Sequence, residues 1–101
     1  MPYAPLLAEA EVEAALAERP AWHREGAELV RTIRCPTFRD AISLVDRVAD
    51  VAEDADHHPD IDIRWRQVTF RLTTKAAGGL TDRDLKMVAT IDALIPLGWP
   101  D

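Results

Sequence analysis

Two pairs of alternating segments, separated by one long amphipathic stretch and flanked by shorter helical ones, predict an α+β fold in the order αββαββα. Three observations carry that reading. Asp60 to Trp65 alternates strictly, with Ile61, Ile63 and Trp65 on one face, and Val68, Phe70 and Leu72 repeat the pattern against Gln67, Thr69, Arg71 and Thr73. Between Thr37 and about Asp56, apolar residues recur every three or four positions at Phe38, Ala41, Ile42, Val45, Val48, Ala49, Ala52 and Ala55. No repeat or Gly/Ser linker divides the chain, so residues 1–101 read as a single domain. An isolated hairpin is marginal in water, so the two hairpins must pool their apolar faces in a four-stranded antiparallel sheet covered on one face by helices.

The elements follow in order. From Ala8 to Glu18, Val12, Ala15 and Leu16 share a helical face opposite Glu9, Glu11, Glu13 and Glu18; the helix lacks a good N-cap and stops before Pro20. Ala21–Arg24 and Glu28–Arg34 flank Glu25-Gly26-Ala27 as a hairpin. Thr37, after Pro36, is placed to cap the long central helix, whose outer face carries Asp40, Asp46, Asp50 and Asp54. The second hairpin is expected to bury Ile61, Ile63, Val68, Phe70 and Leu72 against Phe38, Ile42, Val45 and Val48. After Ala77-Gly78-Gly79, read as flexible, Thr81 caps a last helix with Asp84 at its third position and Leu85, Val88 and Ile91 on its inner face, ended by Pro96.

Composition narrows the function. Of 101 residues, 48% are apolar and 30% charged, which suits a compact domain able to bury a core. A net charge of −6 has the wrong sign for gripping phosphate backbones, so direct nucleic-acid binding is not expected. One cysteine, Cys35, excludes a disulfide within the chain and a multi-cysteine metal site, and fits a reducing compartment, so the cytoplasm is expected. No basic leader or long uncharged run is visible, predicting neither secretion nor membrane insertion.

The chemistry concentrates at His57-His58-Pro59, where the central helix meets the next strand. Adjacent imidazoles beside helix C-terminal carbonyls and Glu53, Asp54 and Asp56 suit proton transfer near neutrality. Other readings stand beside this one. His57 caps the helix while His58 turns to solvent, or Glu53 and His57, four apart on one helix face, hold a metal with His58 or Asp54. No HExxH motif or cysteine pair accompanies that second possibility. Cys35 and Ser43 lie in no nucleophile motif, and Cys35 reads as a small buried filler.

Glu53 with His57-His58-Pro59, Trp65, the strand end Leu72-Thr73-Thr74, the turn Gly78-Gly79-Leu80-Thr81 and Asp84 together resemble the pterin-4a-carbinolamine dehydratases, also called 4a-hydroxytetrahydrobiopterin dehydratases. The resemblance covers nearly the whole chain, including Pro20, Trp22 and Pro36-Thr37-Phe38. It implies the same αββαββα fold and a hydro-lyase activity that removes water from a 4a-hydroxytetrahydropterin to give the quinonoid dihydropterin. It implies no metal or organic cofactor. By this resemblance His57 and His58 are the acid and substrate-orienting pair, with Glu53 and Asp84 as supporting carboxylates. Pro59 belongs to the substrate-binding motif, and Trp65 is a wall of the pterin site.

One position departs from the family pattern. Where a third histidine, sometimes a tryptophan, usually follows the second hairpin, this chain has Lys75. A lysine protonated at neutral pH donates a proton or holds an anion but does not readily accept a proton. The expectation is weakened catalysis that depends on His57 and His58, with a catalytically silent protein-binding, assembly or dimerisation module as the alternative. The resemblance also implies a homodimer or homotetramer, and the edge left by the second strand of a short hairpin can pair across a two-fold axis and extend the sheet between subunits. The partner set is then a small-molecule pterin, a second copy of the chain and, for the silent alternative, another protein.

Overall fold

The structure is a computed structural model and describes residues 4–99. Helix α1 (Glu9–Glu18) precedes a hairpin of β1 (His23–Glu25) and β2 (Glu28–Arg34). Helix α2 (Phe38–Ala55) leads to a second hairpin of β3 (Asp60–Arg64) and β4 (Gln67–Leu72). A 3-10 turn over Lys75–Ala77 and helix α3 (Asp82–Leu94) complete the expected order. The four strands form one antiparallel sheet in the order β1-β2-β4-β3, so β4 is central and β3 is an edge.

The register decides which side chains reach the core. Leu29 pairs with Leu72, Arg31 with Phe70 and Ile33 with Val68 across β2 and β4. All of these side chains point to the helix-covered face, where Leu29, Ile33, Val68, Phe70 and Leu72 are completely buried. Leu44 and Val48 of α2, Met87, Val88 and Ile91 of α3, and Val12 of α1 pack on them. Cys35 is buried in the same core, as its reading as a filler requires.

The second hairpin has the expected faces but not the expected burial. Ile61 pairs with Phe70 and Ile63 with Val68, so all four share a face. Yet Ile61 and Ile63 remain 37% and 38% exposed, as do Ile42 at 38% and Phe38 at 51%, while Val45 is half-buried. Helix α2 packs on β4 and α3 and leaves the outer edge of the sheet uncovered. Trp65 also departs from expectation: it lies in the β3–β4 turn rather than on the strand, with φ of 54° and 70% exposure.

Local signals set the helix ends. The Thr37 hydroxyl accepts from the Asp40 N–H and caps α2. Asp56 ends α2 in the left-handed region at φ 49°, a conformation aspartate tolerates better than most residues. That reversal turns the chain out of α2 and presents His57 and His58 at its end. Glu11 substitutes for the missing α1 cap side chain, its carboxylate accepting the Ala8 N–H at 2.9 Å. The Ala77-Gly78-Gly79 segment forms a closed turn, bounded by the 3-10 helix and a Thr74–Gly79 bridge.

Candidate active site

Asp84 is the third residue of α3 and fully buried. Its Oδ2 accepts the Thr81 N–H at 2.9 Å and the Thr74 hydroxyl at 2.8 Å. With the Thr74 proton so directed, the Thr81 hydroxyl donates to Thr74 Oγ1 at 2.7 Å while accepting the Arg83 N–H at 3.2 Å. A chain of polarised hydrogen bonds therefore runs through two buried threonines into one carboxylate. Asp84 Oδ1 faces His57 Nε2 at 2.6 Å. In the neutral ring an acceptor on that side places the proton on Nε2 and the lone pair on Nδ1.

His58 is arranged differently. Its Nε2 pairs with Glu53 Oε2, one turn back on α2, and both groups are exposed. His57, by contrast, is 7% exposed. The two adjacent imidazoles thus occupy unlike surroundings, one fixed by a buried network and one held by a carboxylate in solvent. Arg83 stiffens their common backbone by donating from Nη2 to Asp56 O at 2.6 Å and to Ala55 O at 3.2 Å. Positive charge at these C-terminal carbonyls of α2 satisfies acceptors the helix leaves open.

A cavity of about 240 Å³ opens beside this pair, lined by Asp56, His57, His58, Asp60, Arg71, Thr73 and Lys75. It brings His57 and His58 together with Lys75, as expected for a site between the histidines and the end of the second hairpin. Glu53 and Asp84 stand behind the two histidines rather than in the lining, and Pro59 joins His58 to Asp60. Trp65 does not line it: the turn that holds Trp65 is at the opposite end of β3 from Asp60, so within one chain it is not a wall of this cavity.

Arg71 is a lining residue that sequence reasoning passed over as one more polar position on an alternating strand. Its Nη1 donates to Glu25 Oε1 at 2.8 Å and Glu28 Oε1 at 3.4 Å across the sheet. The Arg71 hydrogen bond, with a further one from His23, holds the Glu25 carboxyl below the usual carboxylate range. Arg71 is correspondingly raised, chiefly by its hydrogen bond to Glu25. Thr74 and Arg83 were also not singled out for a role, although both flank the Gly-Gly-Leu-Thr turn and Asp84. Among the described residues no cluster of three or more His, Cys, Asp or Glu side chains has metal-binding geometry. A groove between α1 and α3, lined mainly by Leu16, Leu29, Leu85 and Val88, holds no histidine.

Helices on one face of a four-stranded antiparallel sheet, with a histidine pair and its buried carboxylate at the end of the second hairpin, define the class as an α+β domain with a candidate site at that end. The family described as Pterin 4 alpha carbinolamine dehydratase matches residues 5–94, and the chain belongs to it. A protein of Nocardia farcinica named "Putative pterin-4-alpha-carbinolamine dehydratase" is 54% identical over 89 residues, covering 88% of this chain and 94% of that one. One of the same name from Mycolicibacterium smegmatis is 50% identical over 90 residues, covering 89% and 96%. The crystal structure of a transcriptional coactivator/pterin dehydratase from Brucella melitensis superimposes with a TM-score of 0.86 at 27% identity, over 90% of this chain and 99% of that one. A pterin dehydratase-like RuBisCO assembly factor of the alpha-carboxysome shares the fold, with a TM-score of 0.63 at 21% identity over 73% and 88%. No helix among the described residues is long and apolar enough to cross a membrane.

Proposed function

We propose that this protein is a hydro-lyase that dehydrates 4a-hydroxytetrahydropterin to quinonoid dihydropterin in the cytoplasm, with no added cofactor. The observation that carries the reading is the unlike environment of two adjacent histidines on one cavity. Elimination needs a proton delivered to the departing C4a hydroxyl and a proton removed from N5, whose electrons form the new C4a–N5 double bond. His58, exposed and paired with Glu53, is the group to protonate the hydroxyl as it leaves as water. His57, its Nε2–H directed to Asp84, accepts the N5 proton at Nδ1. Lys75 lines the same cavity as a fixed donor that holds the substrate or the departing oxygen but leaves the base role to His57.

Lys75 also favours a second reading, a silent fold kept for binding another protein. An absorbance assay for dehydration of 4a-hydroxytetrahydropterin separates the two. The expected result is slow, measurable turnover that falls ~10²- to 10⁴-fold in His57→Ala and in His58→Ala and rises in Lys75→His, which supplies a third imidazole. No turnover in wild type or in Lys75→His would favour the silent reading. Equal rates in all four proteins would remove these residues from the rate-limiting chemistry.

A further inference from the structure

The sheet face turned away from the helices is polar along β3 and β4. The register pairs Asp60 with Arg71, Asp62 with Thr69 and Arg64 with Gln67. These side chains share the outer face, because Ile61, Ile63, Val68 and Phe70 alternate onto the other. A second cavity, of about 220 Å³, lies among Asp62, Arg64, Gln67, Thr69 and Arg71. Arg71 also lines the histidine cavity of about 240 Å³, so the two cavities meet at its guanidinium. Together they make a trough that begins at His57 and His58 and follows β3 toward its turn, ~14 Å from Asp60 to Arg64 at ~3.4 Å per residue.

The donors along this trough are only partly engaged. Arg71 gives Nη1 to Glu25 and Glu28, which anchor it from the first hairpin and leave Nε and Nη2 for a ligand. Arg64 gives Nε to Asp62 at 3.1 Å and keeps both Nη groups, on an exposed side chain at the far end. Thr69 Oγ1 lies 2.8 Å from Thr32 Oγ1; one hydroxyl donates to the other, so one of the two protons stays available. Charge is also unevenly spread among the lining side chains. In the histidine cavity Asp56 and Asp60 offset Arg71 and Lys75, whereas in the second cavity Asp62 alone stands against Arg64 and Arg71. No apolar side chain lines that second cavity among the described residues, so a hydrocarbon group finds no partner there, while hydroxyls and an anion do.

A pterin carries its variable substituent on C6, which is bonded to N5. With N5 and C4a at the histidines, that substituent starts at the reacting edge of the ring and has to leave along an open path, and the trough is such a path. We infer that the substrate is a reduced pterin whose C6 tail runs along β3 and β4 and ends in an anionic group, a phosphate or a carboxylate, held by the free Nη groups of Arg64. Arg71 grips the tail midway, where the two cavities meet. A guanidinium binds either oxyanion through two parallel hydrogen bonds, so the chemistry is the same for both. A pterin with no tail or a short neutral one ends before Arg64 and forgoes that contact. The inference rests on the pterin reading above and adds to it the class of tail.

Calorimetric titration with four dihydropterins reads the tail directly. The set is 7,8-dihydropterin, which has none; 7,8-dihydrobiopterin, with a short neutral diol; 7,8-dihydroneopterin triphosphate; and 7,8-dihydrofolate, with a glutamyl carboxylate. At least one of the two anionic tails should bind ~ten-fold or more tighter than dihydropterin to the wild-type protein, the gain expected of a bidentate charged pair. Tighter binding of the triphosphate assigns a phosphate ester, and tighter binding of dihydrofolate assigns a carboxylate. The ratio of anionic-tailed to tailless affinity should vanish in Arg64→Gln, invert in Arg64→Glu, persist in part in Arg64→Lys, fall in Arg71→Gln and shrink with added salt. Circular dichroism confirms that each variant is folded. Dihydropterin bound as tightly as both anionic pterins overturns the inference and leaves the pterin reading standing, as does an anionic preference that survives in Arg64→Glu. Absence of binding by all four overturns the pterin reading itself, and the inference with it.

Discussion

Asp84 caps the first turn of α3, receives the Thr74 hydroxyl and holds His57, three tasks for one buried carboxylate. Its removal should be felt in stability and chemistry to different extents. Asp84→Ala leaves the Thr81 N–H, the Thr74 hydroxyl and His57 Nε2 without their acceptor, and a buried donor left unpaired costs ~1–3 kcal/mol. Urea unfolding should show a loss of about 3 kcal/mol, less than the sum because the threonines can re-pair. Asp84→Asn keeps the shape and should cost less stability while lowering the proposed dehydratase rate ~10²-fold or more, because the amide no longer dictates which ring nitrogen carries the proton. Cys35 supplies a second test at this scale. Burial, with a smaller contribution from Asp40, pushes its thiol up from 9.0. A raised thiol contributes stability that is full below its unfolded value and lost as pH rises through the folded one. Iodoacetamide at pH 8 should therefore leave the native thiol nearly untouched and modify the urea-unfolded chain rapidly.

Among the elements, β4 was the most legible, since a period of 2 reproduces its burial pattern directly, whereas α2 was legible as a helix but buries Ala41, Leu44, Val48 and Ala52 rather than the face through Phe38 and Ile42. Periodicity told which face Ile61 and Ile63 share with Phe70 and Val68, but not whether a helix would cover it; coverage depends on where α2 lies across the sheet. The histidine pair and Asp84 stood out in the chain because their residue types are chemically loud. Arg71 did not, because a cation on the polar face of a strand has no local mark; only the β2–β4 pairing brings Glu28 and Glu25 to it. Trp65 was misread because strict alternation gives no warning that a two-residue turn begins there. Replacing it tests the turn itself. Trp65→Gly should raise the melting temperature by a few degrees, since relief of a bulky residue at positive φ gives on the order of 1 kcal/mol. Thr37→Ala removes the α2 cap and should cost ~1 kcal/mol.

For the molecule as a whole, the two hairpins are coupled by charge as well as by packing. Glu25 on β1 and Glu28 on β2 hold Arg71 on β4, which lines the cavity. Because the Glu25 carboxyl is held low, it contributes stability above its unfolded value of 4.5 and loses it as pH falls through the lowered folded value. Acidification through the lowered Glu25 value should therefore release Arg71 from Glu25 before the core unfolds, seen as a change in the Arg71 Nε–H NMR signal ahead of the near-UV circular dichroism transition. Glu25→Gln should produce the freed signal already at neutral pH.

The span of the contacts that build the site also bears on how the protein reaches its native state. His57 and Asp84 are 27 residues apart and Arg71 and Glu25 are 46 apart. Neither contact can close until the intervening chain has been gathered in, and long loops close after local turns and helices. Ligand competence is then the last property acquired during refolding. In stopped-flow refolding from urea, recovery of far-UV ellipticity through α2 should precede recovery of the dihydropterin binding that the proposed function requires.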